Sequence, residues 1–119
     1  MKLYATHIDA ENIGTTIVSV GFWDDNQTYG VGFSVDDDDT SRVELMVSDQ
    51  SVYDLKIADI YFSPGYFELI LPKETINILD GDDVYQIYYS KLSDEKYSLM
   101  KDAMITIFDR LEGVNAKYS

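Results

Sequence analysis

Apolar and polar positions alternate along most of the N-terminal two-thirds of this chain, and alternation puts successive side chains on opposite faces of a strand. Residues 15–23 are rich in β-branched side chains and predict a strand, with Val18, Val20 and Phe22 on one face and Ile17, Ser19, Gly21 and Trp23 on the other. In the next segment Tyr29, Val31, Phe33 and Val35 alternate with Gly30, Gly32 and Ser34, giving one apolar face and one nearly bare face. Val43, Leu45 and Val47 repeat the pattern, as do Ala58, Ile60 and Phe62, and then Phe67, Leu69 and Leu71. Ser63-Pro64-Gly65 is the clearest turn: Pro presets φ at the first central position and Gly supplies a positive φ at the next. Residues 2–8 alternate weakly and read as an edge strand, and residues 84–89 as a further strand. Polar turns are expected at residues 9–14, 48–53 and 80–83.

The period changes toward the C-terminus. Residues 72–79 fit a short helix with Pro72 near its first position and fit a continued strand equally well. Ser93 reads as an N-cap, with Asp94 and Glu95 favouring the helix dipole in the first turn. Tyr97, Met100, Met104, Ile107, Phe108 and Leu111 then recur at three- and four-residue steps as the apolar stripe of an amphipathic helix, with Gly113 as its C′ residue. The expected architecture is α+β: an antiparallel β-meander of six to seven strands with a C-terminal amphipathic helix packed on one face, in a single domain over residues 1–119.

Charge sharpens this picture. Nine basic residues against 22 acidic ones give a net charge of −13, and no Lys or Arg lies between Lys2 and Arg42. Such a balance argues against nucleic acid, whose phosphates need Lys and Arg, and against anionic membrane surfaces. It favours solubility and attraction to basic partners. At 45% hydrophobic and 13% aromatic the chain has enough apolar side chains for a core. Without Cys there is no disulfide frame and no thiolate metal site. Residues 1–7 hold no apolar secretory core and no run approaches a membrane span, so the expected compartment is the cytoplasm.

The candidate chemistry is that of binding. Both ends of the bare-faced strand run into acid, Asp24 and Asp25 before it and Asp36, Asp37, Asp38 and Asp39 after it. Asp36 to Asp39 and Asp80-Gly81-Asp82-Asp83 offer the hard oxygen ligands that suit calcium, but neither has the alternating spacing and distant Glu of an EF-hand loop. No cofactor is expected. His7 is the single imidazole, and no nucleophile elbow or phosphate-cradling loop is present, so no catalytic set is assigned. Ten tyrosines exceed what a core would hold, and Tyr suits both strands and interfaces. Trp23, directly before Asp24-Asp25, is either an interface anchor ringed by charge or a cap on the core.

The segment Gly21-Phe22-Trp23-Asp24-Asp25, the strand opening on Tyr29, the acidic break, Val47-Ser48-Asp49-Gln50-Ser51-Val52-Tyr53, and the closing strand and helix together resemble the family numbered ten among bacterial polymorphic-toxin immunity proteins. The resemblance spans roughly residues 17–110 and departs from the family at Trp23, where a small residue is commoner, and after Tyr53, where Asp54-Leu55-Lys56 replaces a Gly-rich continuation. It implies a small cytoplasmic inhibitor of a cognate toxin C-terminal domain, in many cases a basic nuclease, delivered by contact-dependent growth inhibition or a related system. The contact residues it suggests, with the charge pattern, are Trp23, Asp24, Asp25 and Asp36 to Asp39, then Asp49, Gln50 and Tyr53, then Asp80, Asp82 and Asp83. The same acidic loops also suit an acidic ligand-binding or assembly module, calcium-dependent or not. The expected oligomeric state is a monomer or a weak homodimer, an exposed edge at residues 2–8 being one route to pairing.

Overall fold

The computed structural model describes residues 2–11, 17–26, 29–36, 43–48, 50–53, 57, 59–72, 83–109, 111 and 113–119. Among them are ten strands and one helix: β1 (Lys2–Ala5), β2 (His7–Glu11), β3 (Ile17–Trp23), β4 (Gly30–Asp36), β5 (Val43–Val47), β6 (Gln50–Tyr53), β7 (Asp59–Ser63), β8 (Tyr66–Ile70), β9 (Val84–Tyr89), α1 (Asp94–Phe108) and β10 (Asn115–Tyr118). The chain is α+β and largely an antiparallel meander, with its C-terminal helix packed against a sheet.

The strands exceed the six or seven expected and form two five-stranded sheets instead of one. Sheet B is an unbroken antiparallel meander in the order β2-β3-β4-β5-β6. Sheet A has the order β1-β9-β8-β7-β10, its three central strands antiparallel and both edge strands parallel to their neighbours. The edge strand expected over residues 2–8 breaks at Thr6. β1 ends in sheet A, β2 begins in sheet B, and the Thr6 N–H donates to the Trp23 carbonyl oxygen at 2.9 Å to fix the corner. Asp9 to Glu11, expected in a turn, extend β2 beside β3. Gln50 to Tyr53, also expected in a turn, form β6. Val47 pairs with Gln50, and Ser48 turns the chain after β5 at φ +54°. Of residues 72–79, whose helical or extended state the sequence left open, Pro72 lies in no helix or strand and 73–79 lie outside the described residues.

The inner faces of both sheets and one stripe of α1 share one core. The alternation read from the sequence marks its members. Val18, Val20, Phe22, Val31, Phe33, Val35, Val43, Leu45 and Val47 of sheet B are buried, as are Ile60, Phe62, Phe67, Leu69, Tyr85 and Ile87 of sheet A. Aromatic rings join the layers: Phe22 stacks on Phe67 at 5.3 Å between centroids, and Phe33 meets Phe67 edge-on at 5.8 Å. The helix adds Met100, Ala103, Met104, Ile107 and Phe108, with Phe108 edge-on to Phe33 at 4.9 Å and Tyr97 stacked on Phe62 at 4.9 Å. Ser93 caps α1 as expected, its hydroxyl accepting from the Lys96 N–H at 3.2 Å. The helix ends earlier than Gly113, however. Asp109 is the C-cap, and Gly113, at φ +77°, turns the chain into β10. At the other predicted turn Gly65 has φ +88° between β7 and β8, as Pro-Gly chemistry requires. Because the inner faces share a core, the outer faces of the sheets look away from each other.

Candidate functional site

The bare side of β4 has a specific use. Trp23 pairs with Gly30 and Gly21 with Gly32 across the β3–β4 ladder. A Cβ at Gly30 would stand 2.2 Å from Trp23 Cε3, and one at Gly21 would stand 2.9 Å from Trp23 Nε1. The indole therefore lies down over the outer face of sheet B, in the volume that side chains at those two positions would fill. Trp23 remains half-exposed while the glycines beneath it are buried. It is neither a core residue nor a freely projecting one, but a ring laid on the surface. Met46 extends the floor, its Cε 3.3 Å from where a Gly32 Cβ would be.

The loop after Trp23 is tied down at several points. The Asp24 N–H donates to the Tyr29 carbonyl oxygen at 2.9 Å, and the Tyr29 N–H donates to Asp24 Oδ1 at 3.2 Å. Thr6 Oγ1 donates to Asp25 Oδ1 at 3.1 Å, and His7 Nε2 lies 3.2 Å from the Asp25 carbonyl oxygen. His7 thus pins the loop in the tautomer that carries the Nε2 proton. Asp24 is half-buried and closes its own loop, while Asp25 is exposed. Farther down the face, the Ser34 hydroxyl donates to Glu44 Oε1 at 3.2 Å across β4 and β5.

Charge divides between the sheets. The strands of sheet B carry Asp9, Glu11, Asp36 and Glu44 and not one Lys or Arg. The strands of sheet A carry Lys2 and Lys117 against Asp59 and Glu68. Strand by strand, the charged residues of sheet B are all acidic and those of sheet A balance.

The structure brings some of the sequence-predicted residues together and separates others. Trp23, Asp24 and Asp25 form one corner of sheet B. Asp36 pairs with Ile17 at the other end of the same ladder, six residue steps or about 20 Å away. Gln50 is exposed at the start of β6, and Tyr53 pairs with Glu44 at its end. Asp83 belongs elsewhere: it precedes β9 in sheet A, its carbonyl oxygen accepting from the Leu71 N–H at 2.7 Å. Asp37, Asp38, Asp39, Asp49, Asp80 and Asp82 lie outside the described residues. Both runs proposed for calcium therefore fall mostly outside them, and among the described residues no three His, Cys, Asp or Glu side chains gather as a metal site.

A hollow of about 250 Å³ on sheet A holds two carboxylates, Asp59 and Glu68. Each already accepts from neutral donors: Asn115 Nδ2 reaches Asp59 Oδ1 at 2.9 Å, while Tyr66 Oη and Gln86 Nε2 reach Glu68 Oε1 at 2.6 and 3.3 Å. Burial and the Glu68 hydrogen bond push the Tyr66 phenol up to about 12. Sequence reasoning missed this face. Its signal was the surplus of Tyr, whose alternation with inward residues is plain, but which of them stand side by side depends on strand order.

No family model matches the chain, and no curated protein or solved structure matches it either.

Proposed function

We propose that this protein is an immunity protein that binds a cognate toxin C-terminal domain and neutralises it by stoichiometric inhibition. The observation that carries the reading is the outer face of sheet B, where a half-exposed Trp23 indole lies on buried glycines among carboxylates with no cation on any strand of the sheet. The resemblance of residues 17–110 to immunity proteins supports it.

The physics suits a basic target such as a nuclease cleft. A one-signed face steers an oppositely charged partner over about a Debye length, ~8 Å at physiological salt. Steering sets the encounter rate, whereas affinity requires a desolvated anchor. Trp23 supplies one that is already held in place by Gly21 and Gly30, so little side-chain entropy is lost when a partner covers it. An Arg or Lys laid on the ring would gain a cation–π contact of roughly 0.5–2 kcal/mol, with Asp25 beside it. Asp24 acts by holding the loop, and the exposed Asp25 is placed to meet the partner's charge.

Calorimetry with the toxin domain encoded immediately upstream is the direct test. One-to-one binding that weakens as salt rises is expected, together with protection of cells expressing that toxin. Trp23→Ala should cost ~2 kcal/mol or more in affinity through faster dissociation, and Asp25→Ser should mainly slow association at low salt. An absence of binding to a folded, toxic domain would overturn the assignment.

A further inference from the structure

Sheet A has an outer surface that the toxin-binding reading does not use. Tyr4, Tyr88 and Tyr66 stand in one cross-strand row over β1, β9 and β8. Their rings pack against one another, with centroids 5.4 Å apart for Tyr4–Tyr88 and 5.1 Å for Tyr88–Tyr66, and Tyr61 continues the cluster 6.1 Å from Tyr66. Tyr4, at the free edge, is 70% exposed. The next row reads Lys2, Gln86, Glu68, Tyr61, Lys117 across all five strands. Its charges run positive, neutral, negative, neutral, positive.

We infer that this face pairs with a second copy of the same chain, the two sheets packing outer face to outer face about a two-fold axis that runs along β9. Such an axis lies in the interface and sends each strand to the strand equally far on its other side. β1 then faces the partner's β8 and β9 faces itself. In the charged row Lys2 comes opposite Glu68, twice by symmetry. In the aromatic row Tyr4 comes opposite Tyr66, and Tyr88 opposite its own mate. The opposed charges and the opposed aromatics fall out of one operator, and two strands of separation between Lys2 and Glu68 is what makes this possible.

The molecule's charge points to the same occupant. A chain of net charge −13 repels its own copies, so self-association is cheapest where the surface is balanced. Sheet A's strands hold two cations against two anions, while those of sheet B hold four anions and no cation. Tyrosine suits such a contact because it buries ring area and keeps its hydroxyl bonded. Pairing through sheet A leaves the Trp23 face open on both copies, so it is independent of the toxin-binding reading.

Sedimentation equilibrium of the purified chain from about 1 to about 300 µM tests this, since an interface at the small end of specific contacts dissociates in that range. The wild type is expected to move from monomer to dimer. Lys2→Glu, which sets two anions face to face, and Tyr4→Asp should each weaken association by at least about tenfold. Lys2→Glu combined with Glu68→Lys should restore it, a recovery that a merely structural role for either residue would not give. Lys2 and Tyr4 are exposed, so circular dichroism should show both single variants folded; if the Glu68→Lys chain fails to fold, these two decide. A monomer throughout the range, association unchanged in both single variants, or a folded double variant without recovery would each overturn the inference. So would a monomeric wild type whose Tyr4→Asp variant loses affinity for the toxin domain, which would give the face to that partner.

Discussion

A single glycine decides where Trp23 lies. A methyl at Gly30 would meet the indole at 2.2 Å and the Phe22 carbonyl oxygen at 2.7 Å. The ring can swing away, but the carbonyl belongs to a paired strand and cannot. Gly30→Ala is therefore expected to cost about 1–3 kcal/mol in urea unfolding, the usual range for overpacking. Adding Trp23→Ala should recover only part of that loss, because the backbone clash remains. Gly32→Ala meets a flexible Met46 methyl and the Val20 carbonyl oxygen, each at 3.3 Å, and should cost less than Gly30→Ala. Ser48 presents the opposite case. It holds φ +54° where the chain leaves β5, and its buried hydroxyl finds no partner among the described residues. A side chain in that region costs about 1–2 kcal/mol, part of which Gly gives back through its looser unfolded state. Ser48→Gly should stabilise the protein by about 0.5–1 kcal/mol by this balance, read as a higher urea midpoint at unchanged slope.

At the scale of elements, α1 is held by one cap and one stripe. Ser93→Ala removes the hydroxyl that accepts from Lys96 N–H and should cost about 1 kcal/mol. Phe108→Ala leaves a void against Phe33 and should cost about 3–5 kcal/mol in the same assay. Both residues were legible in the sequence, because a helix announces its cap and its period locally. Strand faces were legible for the same reason: Val31, Phe33 and Val35 alternate with Gly30, Gly32 and Ser34 whichever strand lies beside them. Partnership between strands is not a local property. An inward face looks identical whether its sheet has five strands or ten, so the division into two sheets was hidden. The corner at Thr6 depends on Trp23, seventeen residues away, and β10 depends on an exposed-edge pairing with β7. The site split along the same line. Trp23 with Asp24 and Asp25 could be read as neighbours in sequence, whereas the indole's bed on Gly21 and Gly30 needed the β3–β4 register. The tyrosine row of sheet A needed the order of three strands, two of which pair residues as far apart in sequence as Tyr4 and Tyr88.

The molecule as a whole keeps acidic strands in one sheet and balanced strands in the other, and four of its tyrosines couple its stability to alkaline pH. Burial pushes Tyr66 and Tyr118 up to about 12 and raises Tyr97 and Tyr89 as well. Tyr89 donates to the Ser63 carbonyl oxygen and Tyr97 to the Ser119 carbonyl oxygen, bonds that a phenolate could not make. An unfolded tyrosine ionises near 10, by the usual reference value. Between that value and the folded one, the unfolded chain has lost protons that the native chain still holds, so stability falls as pH rises. The contribution of these phenols is fully present below about pH 10 and is lost progressively toward and beyond pH 12. Urea midpoints measured from about pH 8.5 to about pH 11.5 should hold steady at first and then drop, the turning point lying near the unfolded tyrosine value. Tyrosinate absorbance recorded alongside should show the raised phenols of Tyr66, Tyr89, Tyr97 and Tyr118 ionising only as far-ultraviolet ellipticity collapses. A midpoint that stays level to pH 11.5 would show that the fold does not hold these phenols neutral. A midpoint that falls well below pH 10 would place the sensitivity on some other group.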